Sequence, residues 1–214
     1  TRLLILISIV VFFIDRNYLY ISSINSQVFG FYYYPEIKYV KYLFPAFCII
    51  VFINAYNFSD GMNGLASMIG LSWFLYLFLK YPFLIEFYKI IFIFIFFFTI
   101  INLLNKSFLG DSGNYIISTI IGSLIIIINQ TFPTSIYVEE IFLLFLIPGI
   151  DLIRLFFKRI INNRSPLSGD LDHLHHILFN QYGIVKTLVI YLSLINIPIY
   201  IFFFFNISLI ILII

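Results

Sequence analysis

Apolar runs of about 20 residues recur along this chain with the polar residues gathered between them, and no other feature narrows its fold as much. A helix needs about 20 mostly apolar residues to cross the hydrocarbon of a bilayer. Such runs lie near 2–20, 41–58, 63–81, 84–104, 114–131, 138–158 and 184–205, and 207–214 begins another that stops short. They are apolar on all sides, whereas the strands of a membrane barrel would alternate over about ten residues. The expected fold is therefore an all-α polytopic membrane protein, with about seven transmembrane helices plus a truncated eighth in one integral membrane domain over 1–214. Composition agrees, because 62% of the residues are hydrophobic and 10% charged, against about 25% charged in soluble domains. A net charge of +2 makes no basic face, so nucleic acid is set aside as a partner. The single cysteine, Cys48, lies within FPAFCIIVFI; no disulfide is possible within the chain, and a buried, inert thiol is expected.

The run that starts at Leu3 reads as a span rather than a signal peptide, since no small-residue cleavage site follows it and further spans do. With Thr1 rather than Met in first place, the chain is expected to be part of a longer protein. Counting spans alternately puts 59–62, 105–113 and 159–183 on one side of the membrane and 21–40, 82–83 and 132–137 on the other. Arg2, Lys106, Arg154, Lys158, Arg159, Arg164 and Lys186 fall on the first side, against Arg16, Lys38, Lys41, Lys80 and Lys89 on the second. The excess points to a cytoplasmic first side. Asp60, Asp111, Asp151, Asp170, Asp172 and all three histidines share it, while every glutamate lies opposite. Ionisable groups at a membrane are costly and mark function.

Three polar clusters stand out on that side. The stretch NAYNFSDGMNGLA (54–66) places carboxamide and carboxylate oxygens close together, with two glycines that admit a phosphate to the backbone. Its alternative reading is a helix-to-helix turn capped by Asn57, Ser59 or Asp60. KSFLGDSG (106–113) offers Asp111 beside a glycine turn at a helix start, where free N–H groups receive phosphate; the alternative is a turn capped by Ser112 or Asn114. GDSG also occurs in secreted serine proteases, but those are soluble barrels, and this copy lies between apolar spans without the second glycine. The third cluster runs from PGIDLIRLFFKR (148–159) through Arg164 into SPLSGDLDHLHH (165–176). Asp151 and Arg154, three apart, can pair on a helix. If the histidines are helical, His173 and His176 share a face and His175 points elsewhere, a poor arrangement for zinc and a better one for donors to phosphate. Together the clusters describe magnesium ligands, phosphate donors and helix N-termini at the edge of a bilayer, which suits phosphoryl transfer to a lipid.

These four stretches, in this order and spacing along nearly the whole chain, resemble the polyprenyl-phosphate N-acetylhexosaminyl-1-phosphate transferases. The SP-x-S-x-D and HxHH pattern is most similar to their GlcNAc-1-phosphate branch. The resemblance implies attack of a polyprenyl (undecaprenyl) phosphate on the β-phosphorus of a UDP-N-acetylhexosamine, giving polyprenyl-diphosphate-sugar and UMP, as the first membrane step of a cell-envelope polysaccharide. It implies Mg²⁺, or Mn²⁺ in its place, held by Asp111 and Asn57. The implied catalytic residues are Asp60, Asp111 and His173, and the implied substrate-binding residues are Asn63, Lys106, Arg164, His175 and His176. Asn63 stands where bacterial members usually have a second aspartate that contacts uracil. It further implies a bacterial inner-membrane enzyme with its site facing the cytoplasm, with a homodimer as the assembly familiar from relatives. The family also carries an Asp-Asp pair in an earlier loop, and no adjacent aspartates occur here. TRLLILI resembles the segment just after that pair, so the piece is expected to be C-terminal and inactive alone. Two readings compete: a transporter or flippase, which would place its charges at the bilayer midplane, and a homologue that binds nucleotide-sugar or lipid without catalysis.

Overall fold

The computed structural model describes residues 2–16, 18–165 and 172–205. The run at 207–214 and the segment 166–171, with Asp170, lie outside them. Seven helices follow in order among the described residues: α1 (Arg2–Arg16), α2 (Lys38–Asn57), α3 (Leu65–Lys80), α4 (Ile85–Leu103), α5 (Gly110–Thr131), α6 (Val138–Ile161) and α7 (Leu174–Phe205). Three are long and apolar enough to cross a membrane, over Val40–Asn57, Gly110–Thr131 and Leu174–Phe205, and Leu65–Lys80 and Lys89–Leu103 are shorter apolar helices. The helix positions agree with the apolar runs to within a few residues, except that α7 begins ten residues before its run at 184. Gly183, with φ 74° and ψ 175°, interrupts α7, so its polar first turns are a separate arm.

The helices pack around aromatic side chains. Phe52 of α2 stacks on Phe145 of α6 with centroids 4.1 Å apart and lies 5.3 Å from Trp73 of α3. Tyr56, fully buried, donates its hydroxyl to the Ala66 carbonyl at 2.6 Å and so ties α2 to α3. The outer faces are apolar as well: Ile90, Ile93, Phe94, Phe97, Ile101 and Leu104 are all exposed on or just beyond α4. A surface of that kind is stable against lipid rather than water. Cys48 is exposed too, which corrects the expectation of a buried thiol; it lines an apolar groove with Phe52 and Phe145.

Local chemistry explains several helix details. Pro45 inside α2 has no N–H for the Lys41 carbonyl, and the Ile21 N–H takes that acceptor instead at 3.1 Å. α4 and α6 both end on an asparagine in the left-handed region, Asn105 (φ 57°) and Asn163 (φ 53°). The next N–H reaches back five residues in each case, Lys106 to Ile101 at 3.1 Å and Arg164 to Arg159 at 2.8 Å, the pattern that satisfies the last carbonyls of a helix.

A short antiparallel hairpin, β1 (Ile24–Ser26) with β2 (Phe31–Tyr33), stands in the 21–40 segment, where the sequence gives no sign of it. Its strands are three residues each, too short to stand alone. Buried Glu139 in the first turn of α6 supports them by accepting from the Val28 N–H at 3.1 Å, the Gln27 N–H at 3.3 Å and the Ser26 hydroxyl. Glu140 beside it is buried among Tyr76, Tyr81 and Lys80. Glu139 and Glu140 thus hold the hairpin end of the bundle together, and Asp60, Asp111, Asp151 and Asp172 gather at the other.

Candidate functional site

At the end away from the hairpin, the loop 58–64 between α2 and α3 meets the start of α5 and the start of α7. α3 begins on Gly64, in the left-handed region at φ 88°, and α5 begins after Leu109; neither has a side-chain cap. The capping roles considered for Asn57, Ser59, Asp60, Ser112 and Asn114 are therefore not what these residues do. Asp60 reaches across to the neighbouring helix, where its Oδ2 accepts the Gly110 N–H and Asn114 Nδ2, each at 2.9 Å. Asn114 Nδ2 also donates to Asn57 Oδ1 at 3.0 Å. The Asp60 oxygen can only accept, which fixes the Asn114 amide and leaves its Oδ1 buried without a hydrogen-bond partner.

Burial pushes the Asp60 carboxyl above the ordinary carboxylate value and the charge of Asp111 adds to the rise, while the Asn114 and Gly110 hydrogen bonds oppose it. Asp111 itself is exposed in the first turn of α5. Hard oxygen donors from Asp60, Asn57, Asn114 and Asp111 are the set Mg²⁺ takes, since that ion commonly uses one or two carboxylates plus waters and substrate phosphates. The orphaned Asn114 oxygen fits such a guest. Among the described residues no three His, Cys, Asp or Glu side chains converge on one point, so a cage built from protein side chains alone is not formed there.

The histidines come in from α7. His173 precedes the helix, and its carbonyl accepts the N–H groups of His176 at 3.0 Å and Ile177 at 3.1 Å. Because His173 is not itself helical, the helical spacing argument does not hold, and His175 does not point elsewhere. All three rings cluster: His175 stacks on His173 at 5.5 Å with 13° between planes and lies 4.1 Å from His176. His173 is held by Asp151, whose Oδ2 is 2.9 Å from Nδ1. A carboxylate only accepts, so Nδ1 carries the proton. The other Asp151 oxygen takes the Leu174 N–H at 3.2 Å and Arg154 at 2.7 Å, which bears out the Asp151–Arg154 pair. Lys158 pairs with Asp172 at 2.8 Å.

His175 is 1% exposed, and both of its ring nitrogens are buried without a hydrogen-bond partner. Buried polar groups in that condition ask for a ligand. Its ring presses on Gly61, where an added Cβ would lie 2.0 Å from His175 Nε2 and 2.9 Å from His176 Nε2. Gly61→Ala is therefore expected to displace the histidine cluster, at a cost of about 1–3 kcal/mol; thermal unfolding of the purified variant against its parent measures it, and an unchanged midpoint would refute the contact.

Of the residues singled out from sequence, Asn57 and Asp60 meet at Asn114, His173, His175 and His176 cluster against Gly61 next to Asp60, and Asp111 acts on Asp60 through its charge. Asn63 joins by donating its Nδ2 to Asn105 Oδ1 at 2.7 Å, next to exposed Lys106. Arg164 stays exposed in the turn after α6. Arg159 also lies near the histidines, 3% exposed with its guanidinium 5.6 Å from the Phe58 ring, which in turn is 5.1 Å from His173. The sequence reads Asn114 only as a cap and Arg159 only as part of a basic stretch, and it gives no role to Asn102; the usable signal is a polar side chain within or at the end of an otherwise apolar run.

Residues 1–129, more than half of the chain, match the family described as Glycosyl transferase family 4. A curated relative, the undecaprenyl-phosphate alpha-N-acetylglucosaminyl 1-phosphate transferase of Thermotoga maritima, is 29% identical over 158 residues, which are 70% of this chain and 48% of the relative. The chain thus spans about half the length of the curated relative it matches. No solved structure matches it.

Proposed function

The chain belongs to glycosyl transferase family 4, and from that membership and the meeting of three loops at one end of the bundle we propose that it moves a sugar-1-phosphate, as GlcNAc-1-phosphate, from its UDP donor to polyprenyl phosphate. The observation that carries this reading is Asp60, bonded at 2.9 Å to both Gly110 and Asn114 and acted on by the charge of Asp111, with His175 and His176 against the next residue, Gly61. Carboxylates, a helix N-terminus and imidazoles on neighbouring segments at one end of the bundle suit the handling of a diphosphate. In this reading the helices form a seven-span membrane domain of the bacterial inner membrane, and the site end faces the cytoplasm.

Asp111, with the oxygens of Asn57 and Asn114, would hold Mg²⁺ or Mn²⁺. The metal, when bound, supplies neutralisation of the diphosphate charge as UMP leaves. The protein's own work is positional. The α5 N-terminus receives phosphate oxygens, His173 is oriented through Asp151, and His175 and His176 donate to phosphate or sugar. Asn63 accepts or donates at the base, and Asp60 takes up or withholds a proton near the reacting phosphates.

Membranes holding the complete gene product, given UDP-GlcNAc, polyprenyl phosphate and labelled UMP, should exchange label into UDP-GlcNAc, and EDTA should stop it. A transporter or a non-catalytic homologue would give no exchange. Asp111→Asn should lower the exchange rate on the order of 10³-fold, since a metal's charge stabilisation amounts to several kcal/mol. A parental rate in that variant would overturn the metal assignment.

A further inference from the structure

Resting on that reaction, we propose that Asn102, in the last turn of α4, is a positioning residue that sets the spacing of the two carboxylate-bearing loops. It is 2% exposed, and its carboxamide is bonded to both loops. Oδ1 accepts the Gly64 N–H at 2.5 Å and is 3.4 Å from the Ser67 hydroxyl, and Nδ2 donates to the Ser107 carbonyl at 2.8 Å. A backbone N–H only donates and a carbonyl only accepts, so the amide has one workable orientation. Gly64 follows Asp60 by four residues, and Ser107 precedes Asp111 by four. One side chain thus anchors both short arms that carry the carboxylates.

The packing leaves little freedom around this anchor. A Cβ on Gly64 would lie 2.3 Å from Leu103 Cδ2, so the loop backbone rests directly on the residue after Asn102. Asn105, one turn later, adds its own bond to Asn63. Asp60 also joins the loops through Gly110 and Asn114, but those groups are the ones a phosphate would compete for. Asn102 is away from them, and its bonds persist while Asp60 changes partners.

The complete gene product in membranes, assayed by UMP exchange with UDP-GlcNAc and Mg²⁺ varied, tests this. Asn102→Ala should lower kcat on the order of 10²-fold, the effect of misplacing reacting groups by about 1 Å, with KM for UDP-GlcNAc little changed. Asn102→Asp keeps the acceptor for Gly64 but cannot donate to Ser107, and should fall between Ala and the parent; it also serves if the alanine variant fails to fold. Thr99→Ala is the control, because Thr99 is buried one turn earlier and bonds only within its own helix, to the Ile95 carbonyl at 2.7 Å. It should keep the parental kcat. A parent without exchange would sink the proposed reaction and this role with it. An exchanging parent, with Asn102→Ala at parental kcat or Thr99→Ala equally impaired, would overturn the role of Asn102 alone.

Discussion

Replacing Asp60 with asparagine is expected to lower turnover on the order of 10³-fold, the range lost with an acid-base group, without lowering the thermal midpoint. The carboxylate is held above its ordinary pKa chiefly by burial, so its ionised form is less favourable in the folded protein than in the unfolded one. For a group shifted in that direction, stability falls as pH rises through the window between the unfolded and the raised folded pKa. The carboxamide of Asp60→Asn would keep an oxygen for the Gly110 N–H and Asn114 Nδ2 and carry no charge. The variant's midpoint should therefore match the parent at pH 4 and exceed it at pH 7. Parallel melting curves at the two pH values, with exchange assayed at pH 7, decide the matter: a variant melting below its parent at pH 7, or one that keeps its rate, contradicts the role given to Asp60.

Removing the Asp151 carboxylate should cause the largest loss of stability, about 3 kcal/mol for Asp151→Ala. That is the low end for breaking a buried charged pair, because Arg154 is 39% exposed and water would solvate it. The other donors have no such relief. His173 is 7% exposed at the side chain, and the Leu174 N–H opens α7 against the same carboxylate. Activity should fall further than stability, since His173 loses the partner that fixes its proton on Nδ1. Asp151→Asn, which still accepts from Leu174, should melt between the two. If Asp151→Ala unfolds at the parental temperature, His173 and Arg154 have other acceptors and the anchor lies elsewhere.

The helices and the site are legible in the sequence to different depths. The described helices coincide with apolar runs, apart from the polar first turns of α7, because side-chain polarity is a local quantity, readable in a window of about 20 residues. The three motifs are visible as polar residues in an apolar chain. Their partners are not: Asp60 reads as a cap of its own loop, yet it bonds to Gly110 fifty residues on. A helical register carried across His173 sends His175 to another face, but His173 lies before the helix. The burial of Arg159 beside Phe58 is likewise invisible in its position in the sequence. The hairpin is unreadable because its strands are held by Glu139, more than a hundred residues away.

Read from sequence, the chain is a set of apolar helices with Asp60, Asp111, Asp151, Asp172 and its histidines towards one end, and its motifs point to the family. Which of those groups meet depends on how the helices pack. Asn102 joins two loops, Asp60 occupies another helix's N-terminus, and Asp151 orients His173 from the preceding helix. Burial in lipid is set residue by residue through hydrophobic transfer, whereas a hydrogen bond between distant loops exists only once packing has fixed the distance between them.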